Sequence, residues 1–269
     1  MNNFKLFCIT NIQNQELEDL PFDLAGVGKN TFNSNYITCN EGQNINEKEK
    51  YYSELTFHYW FWKNKLNHFP DVTWIGFCQR RRFWVNSTNI EENYTLKNII
   101  LNKPPIEWNG YNSVITKPID LKTTKTMKII KRGWKNLLKN PNILFNKNLH
   151  TIKLHFDMHH GHGVLDKAIH VMQEKDREDF RSYVSTKTFF SPHIMFFSKK
   201  KIIDQWFNDL FNWLFECEKI FGFDKLKGYD QTRLYAYLAE RYLSFWFKKY
   251  TRYKEMPIFF KDLSDFSEL

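Results

Sequence analysis

Phe4 to Thr10 is a short apolar run and predicts a buried opening strand. Asn11 to Asn46 is polar and turn-rich, with Gly26, Gly28 and Gly42, and could hold a ligand or be only a long loop. From Glu47 to Asn67, Leu55, Tyr59, Trp60 and Trp62 recur near helical spacing without Pro or Gly, which predicts one helix. Pro70 and Asp71 mark a turn. Val72 to Cys78 then predicts a buried strand, which ends abruptly in Gln79-Arg80-Arg81-Arg82. Ser113 to Thr116 predicts another short strand, and a helix begins at Leu165 and runs to Met172. Phe189 to Ser198, interrupted by Pro192, predicts a strand or a buried loop. Ile202, Ile203, Trp206, Phe207, Leu210 and Leu214 fit one helix, and Tyr229 to Tyr250 predicts a second, apolar nearly all round and largely buried.

Helix, turn, buried strand and then charge is the order expected of a parallel α/β sheet. In such sheets ligands bind beyond the carboxyl ends of the strands, where the three arginines stand. No internal repeat or low-complexity linker divides the chain. It therefore reads as one domain over 1–269, carrying a basic insertion at 117–153.

Composition narrows the class. The chain has 269 residues, 42% of them apolar, enough for a full core and too many for a disordered chain. No apolar run reaches the roughly 20 residues of a membrane-spanning helix. The N-terminal residues lack a signal-peptide h-region, so the expected location is the cytoplasm. The four cysteines, at 8, 39, 78 and 217, form no CxxC pair and are expected to be reduced and buried.

The formal net charge of +9 lies entirely in one place. Lys117 to Lys153 holds ten Lys and Arg against a single acid, Asp120, and the remainder of the chain balances. Within it, Met127, Ile130, Trp134, Leu137 and Leu138 fall on one helical arc, opposite Lys125, Lys128, Lys131, Arg132, Lys135 and Lys139. Asn140-Pro141 stops that helix, over 122–139. A basic amphipathic helix with Trp on its apolar side suits an anionic membrane surface at the inner face of the cell membrane. An ordinary surface helix packing its apolar arc on the core shares the same pattern. Nucleic acid fits less well, because no aromatics interleave with the cations.

Candidate chemistry is scattered. His155, His159, His160 and His162 lie within eight residues; they could bind a metal, contact substrate, or be solvated loop histidines. Glu54 and His58, at i and i+4, suggest a structural pair. Glu240 and Arg241 sit in the middle of the apolar last helix, where a carboxylate must be paired or protonated. No Walker A, GxGxxG, HExxH or GxSxG motif occurs, and no Asp-x-Asp ends the Val72 strand; a D-x-x-D joins Asp262 to Asp265 in the polar tail.

Three blocks in order resemble those of the bacterial capsular polysaccharide synthesis glycosyltransferases. Cys39-Asn-Glu-Gly42-Gln-Asn44-Ile45 resembles D-x-x-G-D-N-I. Ser53-Glu54-Leu55-Thr56-Phe-His-Tyr59-Trp60-Phe-Trp62-Lys63-Asn64 is similar to E-L-T-x-x-Y-W-x-W-K-N. Trp74-Ile75-Gly76-Phe-Cys78-Gln79-Arg80-Arg81-Arg82-Phe83 is similar to Y-I-G-L-C-H-Y-R-R-Y-F. Further on, His160 with Leu165-Asp166, the run from His193 to Lys200, and Gln231 to Arg241 resemble later blocks of the family. The likeness runs from Thr38 to Pro257, skipping 85–110 and the basic segment. Gln79 replaces the family's His, Arg80 its Tyr, His193 an Asn and Val164 an acidic residue; the first strand ends in Thr10-Asn11 rather than His-Lys.

The resemblance implies a GT-A-like α/β sandwich that transfers a sugar from a nucleotide-sugar donor, a UDP-sugar, to a lipid-linked or polysaccharide acceptor. The strand-end rule and the blocks together put the donor against Thr10, Asn11, Asn44, Lys63, Cys78, Gln79, Arg81 and Arg82. A leaving diphosphate needs its charge neutralised. Mn²⁺ or Mg²⁺ can do this by coordination, and guanidinium groups can do it bidentately where Asp-x-Asp is lacking. His162, His193 and Arg233 are expected on the acceptor. Asp230, Glu240 and His160, in that order, are the candidate bases, with Asp230 alternatively capping the last helix. The competing reading is a catalytically inactive nucleotide- or carbohydrate-binding module of a capsule synthesis complex.

Overall fold

The opening apolar run forms β1 (Phe4–Thr10) as its pattern predicts. The computed structural model describes residues 3–86 and 94–263. Their contacts divide the chain into two units: one made of 1–117, 193–208 and 247–269, the other of 118–192 and 209–246. The predicted basic insertion at 117–153 opens the second.

The strands of the first unit are β1, β2 (Asp23–Gly26), β3 (Tyr36–Thr38), β4 (Trp74–Gln79), β5 (Arg82–Trp84) and β6 (Ser113–Thr116). After the second unit's short β7 (Ile119–Asp120) and β8 (Phe189–Phe190) come β9 (Phe196–Ser198), β10 (Tyr253–Met256) and β11 (Ile258–Phe260). The sheet order is β10-β6-β9-β4-β1-β2-β3, with β5 and β11 branching from β4. β3, β2, β1 and β4 are parallel, and β9 runs antiparallel between β4 and β6. The parallel α/β expectation is therefore met. The stretch 11–46 is not the plain loop expected: β2 and β3 lie within it, too short to leave a period in the sequence.

The Gly in the Trp74-Ile-Gly-Phe-Cys run is a packing requirement. A Cβ at Gly76 would stand 2.1 Å from the Phe197 ring, which lies across β4 from the neighbouring β9. Phe197 in turn stacks on Phe4 at 5.1 Å and meets Trp108 at 5.0 Å and Trp84 at 5.5 Å. These rings anchor the cluster that also holds Leu6, Cys8, Leu24, Cys78 and Val114. All four cysteines are free and buried, as the sequence predicted.

The helix expected over Glu47–Asn67 is broken. A short helix, Glu49–Tyr52, ends at Ser53, whose backbone turns to φ 52°, and a second runs from Leu55 to Asn64. Glu54 is turned toward β4, where its carboxylate accepts from the Gln79 amide, so the expected Glu54–His58 pair does not form. His58 is instead fully buried among Phe77, Phe207 and Phe196, at 4.5, 5.5 and 6.0 Å between ring centres, and neither ring nitrogen has a hydrogen-bond partner.

In the second unit the basic helix is also broken, into Thr126–Arg132 and Trp134–Lys139 on either side of Gly133. Gly133 is where the pair packs down: a Cβ there would meet the Ile129 carbonyl at 2.8 Å and the Met158 side chain at 3.2 Å. The His-rich stretch is the helix Ile152–His160, capped by the Thr151 hydroxyl, and most of it is buried. It ends at Gly161 (φ 117°), and Gly163 (φ 75°) caps the next helix, Val164–His170. Further along, the helix predicted over Ile202–Leu214 extends over Lys200–Phe221. That predicted over Tyr229–Tyr250 splits at Arg233 into Tyr229–Thr232 and Leu234–Tyr250.

Burial lowers the pKa of His58 to about 3. The unfolded chain titrates near 6.5, so below that pH it binds a proton that the folded protein refuses. Stability is thus complete above 6.5 and falls toward pH 3, by about 1.4 kcal/mol per pH unit from this residue. Replacing His58→Leu removes an unpaired buried imidazole and is expected to stabilise by about 1–3 kcal/mol at neutral pH. That gain should grow by about 2 kcal/mol near pH 5. Denaturant unfolding of both proteins at the two pH values checks it; a gain independent of pH would contradict the assignment.

Candidate active site

Two sets of polar groups stand out, one in each unit. In the first, the registers of β1 with β2 and β4 align Thr10 with Gly26 and Ile9 with Gln79, so the carboxyl ends of these three parallel strands share one edge. The chain does not leave β4 into a helix. Gln79 pairs with Arg82 across a two-residue turn, Arg80-Arg81, and β5 returns to pair with β11. This hairpin holds the arginines at the sheet edge. Arg80 donates its backbone N–H to the Ile9 carbonyl at 3.2 Å, and Lys261 donates to the Arg81 carbonyl at 3.1 Å. The Arg81 guanidinium meets Asp262 at 3.4 Å, and that of Arg82 lies 5.5 Å over the Phe260 ring. Asp265, the far end of the D-x-x-D, lies outside the described residues.

The other residues expected at the donor divide by what their side chains already do. The Thr10 hydroxyl is buried and closes its own turn, donating to the Ile12 carbonyl at 2.6 Å. Asn11 accepts from the Asn30 amide at its backbone carbonyl, at 2.5 Å. The Asn44 amide donates to the Asn40 and Gly42 carbonyls, and its oxygen accepts from the Asn46 N–H at 3.1 Å. Asn44 thus shapes its loop. That loop is latched to the Leu55–Asn64 helix: Trp60 donates to the Glu41 carbonyl, and Asn64 both donates to Gln43 and accepts from it. The first two family-like blocks are therefore one contact. Lys63 stacks on Trp62 at 3.3 Å, and burial lowers its pKa against the pull of Asp204. The Cys78 thiol points into the core beside Cys8, and burial raises its pKa, so what Cys78 offers at the strand end is backbone.

In the second unit Arg241 is the centre. Its guanidinium is buried. It donates to Glu240 at 2.6 Å, to His155 Nδ1 at 3.2 Å and to His160 Nε2 at 3.3 Å, and it lies over the Phe190 ring at 4.5 Å. His160 stacks on Tyr237 at 3.8 Å and donates from Nδ1 to the Asp230 carbonyl at 2.7 Å. That bond fixes the tautomer and leaves Nε2 as the acceptor for Arg241. Burial first, and Arg241 second, lower the pKa of both His155 and His160 to about 2. His160 is therefore a neutral, engaged imidazole. The lone pair it would need as a base is already taken, and its place among the candidate bases is corrected to that of a positioning group. His155, His159 and His160 lie on a helix rather than in a solvated loop, and His162 lies in the half-buried turn that follows.

Asp230 lies in the first turn of Tyr229–Thr232, where Gly228 is the cap, so the alternative reading of Asp230 as the cap fails. Its carboxylate is partly exposed and pairs with Arg132 at 3.0 Å. Glu240 is mostly buried and committed to Arg241. His162 accepts from Lys139 at 3.2 Å and stands 3.3 Å from Asp157, a buried carboxylate that also takes the Asn136 amide and the Gly163 N–H. Arg233 occupies the break before Leu234. His193, in the first unit, adopts φ 67°, a backbone that Asn and His tolerate better than most residues. The Asn of the resembling block would suit the same turn. His159, one of the histidines the sequence offered to a metal or a substrate, faces its neighbour instead. It stacks on His155 at 4.4 Å and donates from Nδ1 to the His155 carbonyl, and burial with Lys128 and Arg132 lowers its pKa. Spacing alone cannot separate it from its neighbours.

Among the described residues no group of three or more His, Cys, Asp or Glu is placed to hold a metal ion. At the β4 edge the side chains are guanidiniums, the Gln79 amide and two carboxylates, Glu54 engaged by that amide and Asp262 by Arg81.

Removing the Arg241 charge tests the cluster. Arg241→Leu leaves Glu240 without its buried partner and should cost about 3–5 kcal/mol of stability. In the same variant the His155 and His160 resonances should titrate at higher pH than in the parent, since a neighbouring cation is gone. Histidine NMR titration reads this directly; unchanged titration would separate the imidazoles from Arg241.

Residues 13–252 match a family model described as a domain of unknown function, DUF4422. No curated protein matches the chain. Among solved structures, the apo structure of the bifunctional glycosyltransferase WbbM is similar, with a TM-score of 0.58 and 16% identity over 97% of this chain. The chain spans 46% of that protein's length. The likeness shows the fold: a mixed α/β, GT-A-like glycosyltransferase fold around a large, mostly parallel sheet. With its match running through most of both units, the chain belongs to the DUF4422 family.

Proposed function

We propose that this protein is a glycosyltransferase that moves a sugar from a nucleoside diphosphate donor, a UDP-sugar, to a lipid-linked or polysaccharide acceptor of a capsule or related surface glycan. The observation that carries the reading is the arginine hairpin 79–82 at the carboxyl edge of parallel β1 and β4 in a GT-A-like sheet. As the glycosidic bond breaks, negative charge builds on the departing diphosphate. Fixed guanidiniums stabilise that charge, and Arg81, held to Asp262 at 3.4 Å between two partly exposed groups, can exchange that weak pair for phosphate oxygens. The choice of uridine and of a capsule-type acceptor rests on the resemblance of the sequence blocks.

For the proton of the acceptor hydroxyl, the candidate carboxylates differ in availability. Glu240 is tied to Arg241, and His160 has given its lone pair to the same guanidinium. Asp230 is partly exposed and paired with an equally exposed Arg132, so it is the base we assign. His162, His193 and Arg233 are assigned to the acceptor.

Calorimetry with UDP, other nucleoside diphosphates and UDP-sugars tests the donor; no affinity for any of them ends the proposal. Arg81→Ala and Arg82→Ala should each lower kcat/KM by an amount equivalent to about 2–4 kcal/mol. Arg82→Lys should restore little, since a point charge replaces a bidentate fork. Asp230→Ala should lose transfer by about 10² or more while keeping donor affinity. Donor binding without hydrolysis or transfer across the screened acceptors would instead identify an inactive nucleotide-binding module.

A further inference from the structure

The helix pair Thr126–Arg132 and Trp134–Lys139 packs on the second unit by one apolar edge, and Arg132 and Lys139 pair with Asp230 and His162. Ile129 is buried in a small cluster with Ile143, Leu154 and Met158, and Leu137 packs against it. Gly133 brings the backbone down onto Met158 on the same side. A second tie runs through Asn136, whose amide donates to the buried carboxylate of Asp157 at 2.9 Å. The packed face is thus fixed by 129, 133, 136 and 137, and the opposite face is turned outward.

That outward face is apolar. Met127 is 61% exposed, Trp134 53% and Leu138 77%, with Ile130 beside them. Phe145, at the end of the following turn, is 84% exposed. Met127 and Ile130 stand three apart on the first helix, and Trp134 and Leu138 four apart on the second, so each pair shares one helix face. Lys128, Lys131, Arg132, Lys135 and Lys139 follow directly around the helix. The sequence placed Leu137 on one apolar arc with the other four; the structure packs Leu137 and leaves those four outside. A water-soluble surface helix has no use for four large apolar residues in a row. Cations border the row on one side, and the packed edge lies on the other.

We propose that this face docks on an anionic lipid bilayer, with Met127, Ile130, Trp134, Leu138 and Phe145 entering the headgroup boundary and the flanking lysines on lipid phosphates. Charge selects this occupant. A second copy of the chain would bring two rows of lysines together, whereas a bilayer bearing anionic headgroups supplies the opposite sign over an extended plane. Lysine stems can lie along the apolar boundary while their ammonium groups stay at the phosphates. The inference rests on this surface alone and is independent of the donor chemistry.

Vesicle flotation of the full chain tests it, with phosphatidylcholine vesicles and with phosphatidylcholine mixed with phosphatidylglycerol. Binding is expected to the mixed vesicles, weakly or not at all to pure phosphatidylcholine, and to fall as salt screens the charge. Lys131→Gln with Lys135→Gln should weaken the partition by about 20- to 30-fold, at about fivefold for each lysine removed. Trp134→Ser with Leu138→Ser should release the protein from the mixed vesicles at moderate salt. All four substituted side chains are exposed, so an unchanged melting temperature and circular dichroism spectrum confirm that each variant is folded. Equal binding to neutral and anionic vesicles, or unchanged partition in both variants, overturns the proposal. So does sedimentation showing a dimer that the Trp134→Ser, Leu138→Ser variant dissociates, which would give the face to a second copy.

Discussion

A guanidinium buried away from water has to find its hydrogen bonds inside the protein, and it keeps its charge while doing so. Arg241 meets that demand with one carboxylate, two imidazoles and two aromatic faces. Each partner is thereby constrained in turn. His160 must be neutral, in one tautomer, with its other nitrogen on the Asp230 carbonyl. His155 must present its lone pair, and Glu240 must keep an oxygen on the guanidinium. One cation thus ties the His-rich helix Ile152–His160 to the turn at Tyr229–Thr232 and to the helix that follows, and it sets which polar groups in the second unit are free to meet a ligand.

The fold was legible where burial imposes a simple period. β1, the β4 run and β6 stand close to where their apolar runs put them, because strands covered on both faces read as continuous apolar segments. Helix extents were legible and helix breaks were not. The breaks at Ser53, Gly133 and Arg233 come from local backbone geometry and from contacts with residues distant in sequence. Ser53 carries a positive φ that no pattern announces, and Gly133 gives way to Met158. β2 and β3 were missed because four and three residues are too few to show alternation.

Site residues were legible by kind and less so by task. The arginine run stood out as charge after a buried strand, and it does lie at the sheet edge; that it forms a hairpin depends on pairing with β11, far along the chain. Asn44 looks like a ligand-binding amide in sequence, yet its hydrogen bonds go to the loop that carries it. Sequence cannot tell a polar group that awaits a substrate from one that has already found a backbone partner. His160 shows the same ambiguity: its ring has the right chemistry for a base, and only the position of Arg241, eighty-one residues later, takes the lone pair away.

The four buried cysteines give the protein an internal gauge of its own opening. Burial holds the thiols of Cys39, Cys78 and Cys217 above their ordinary pKa, with Cys39 pushed up to about 11, so a thiol reagent meets little thiolate in the folded chain. Labelling has to wait for the surrounding structure to open. Cys8, Cys39 and Cys78 belong to the first unit and Cys217 to the second. The order in which these positions become alkylated during mild denaturation therefore reports whether the sheet unit and the arginine-centred unit come apart together or one before the other, without adding any probe to the chain.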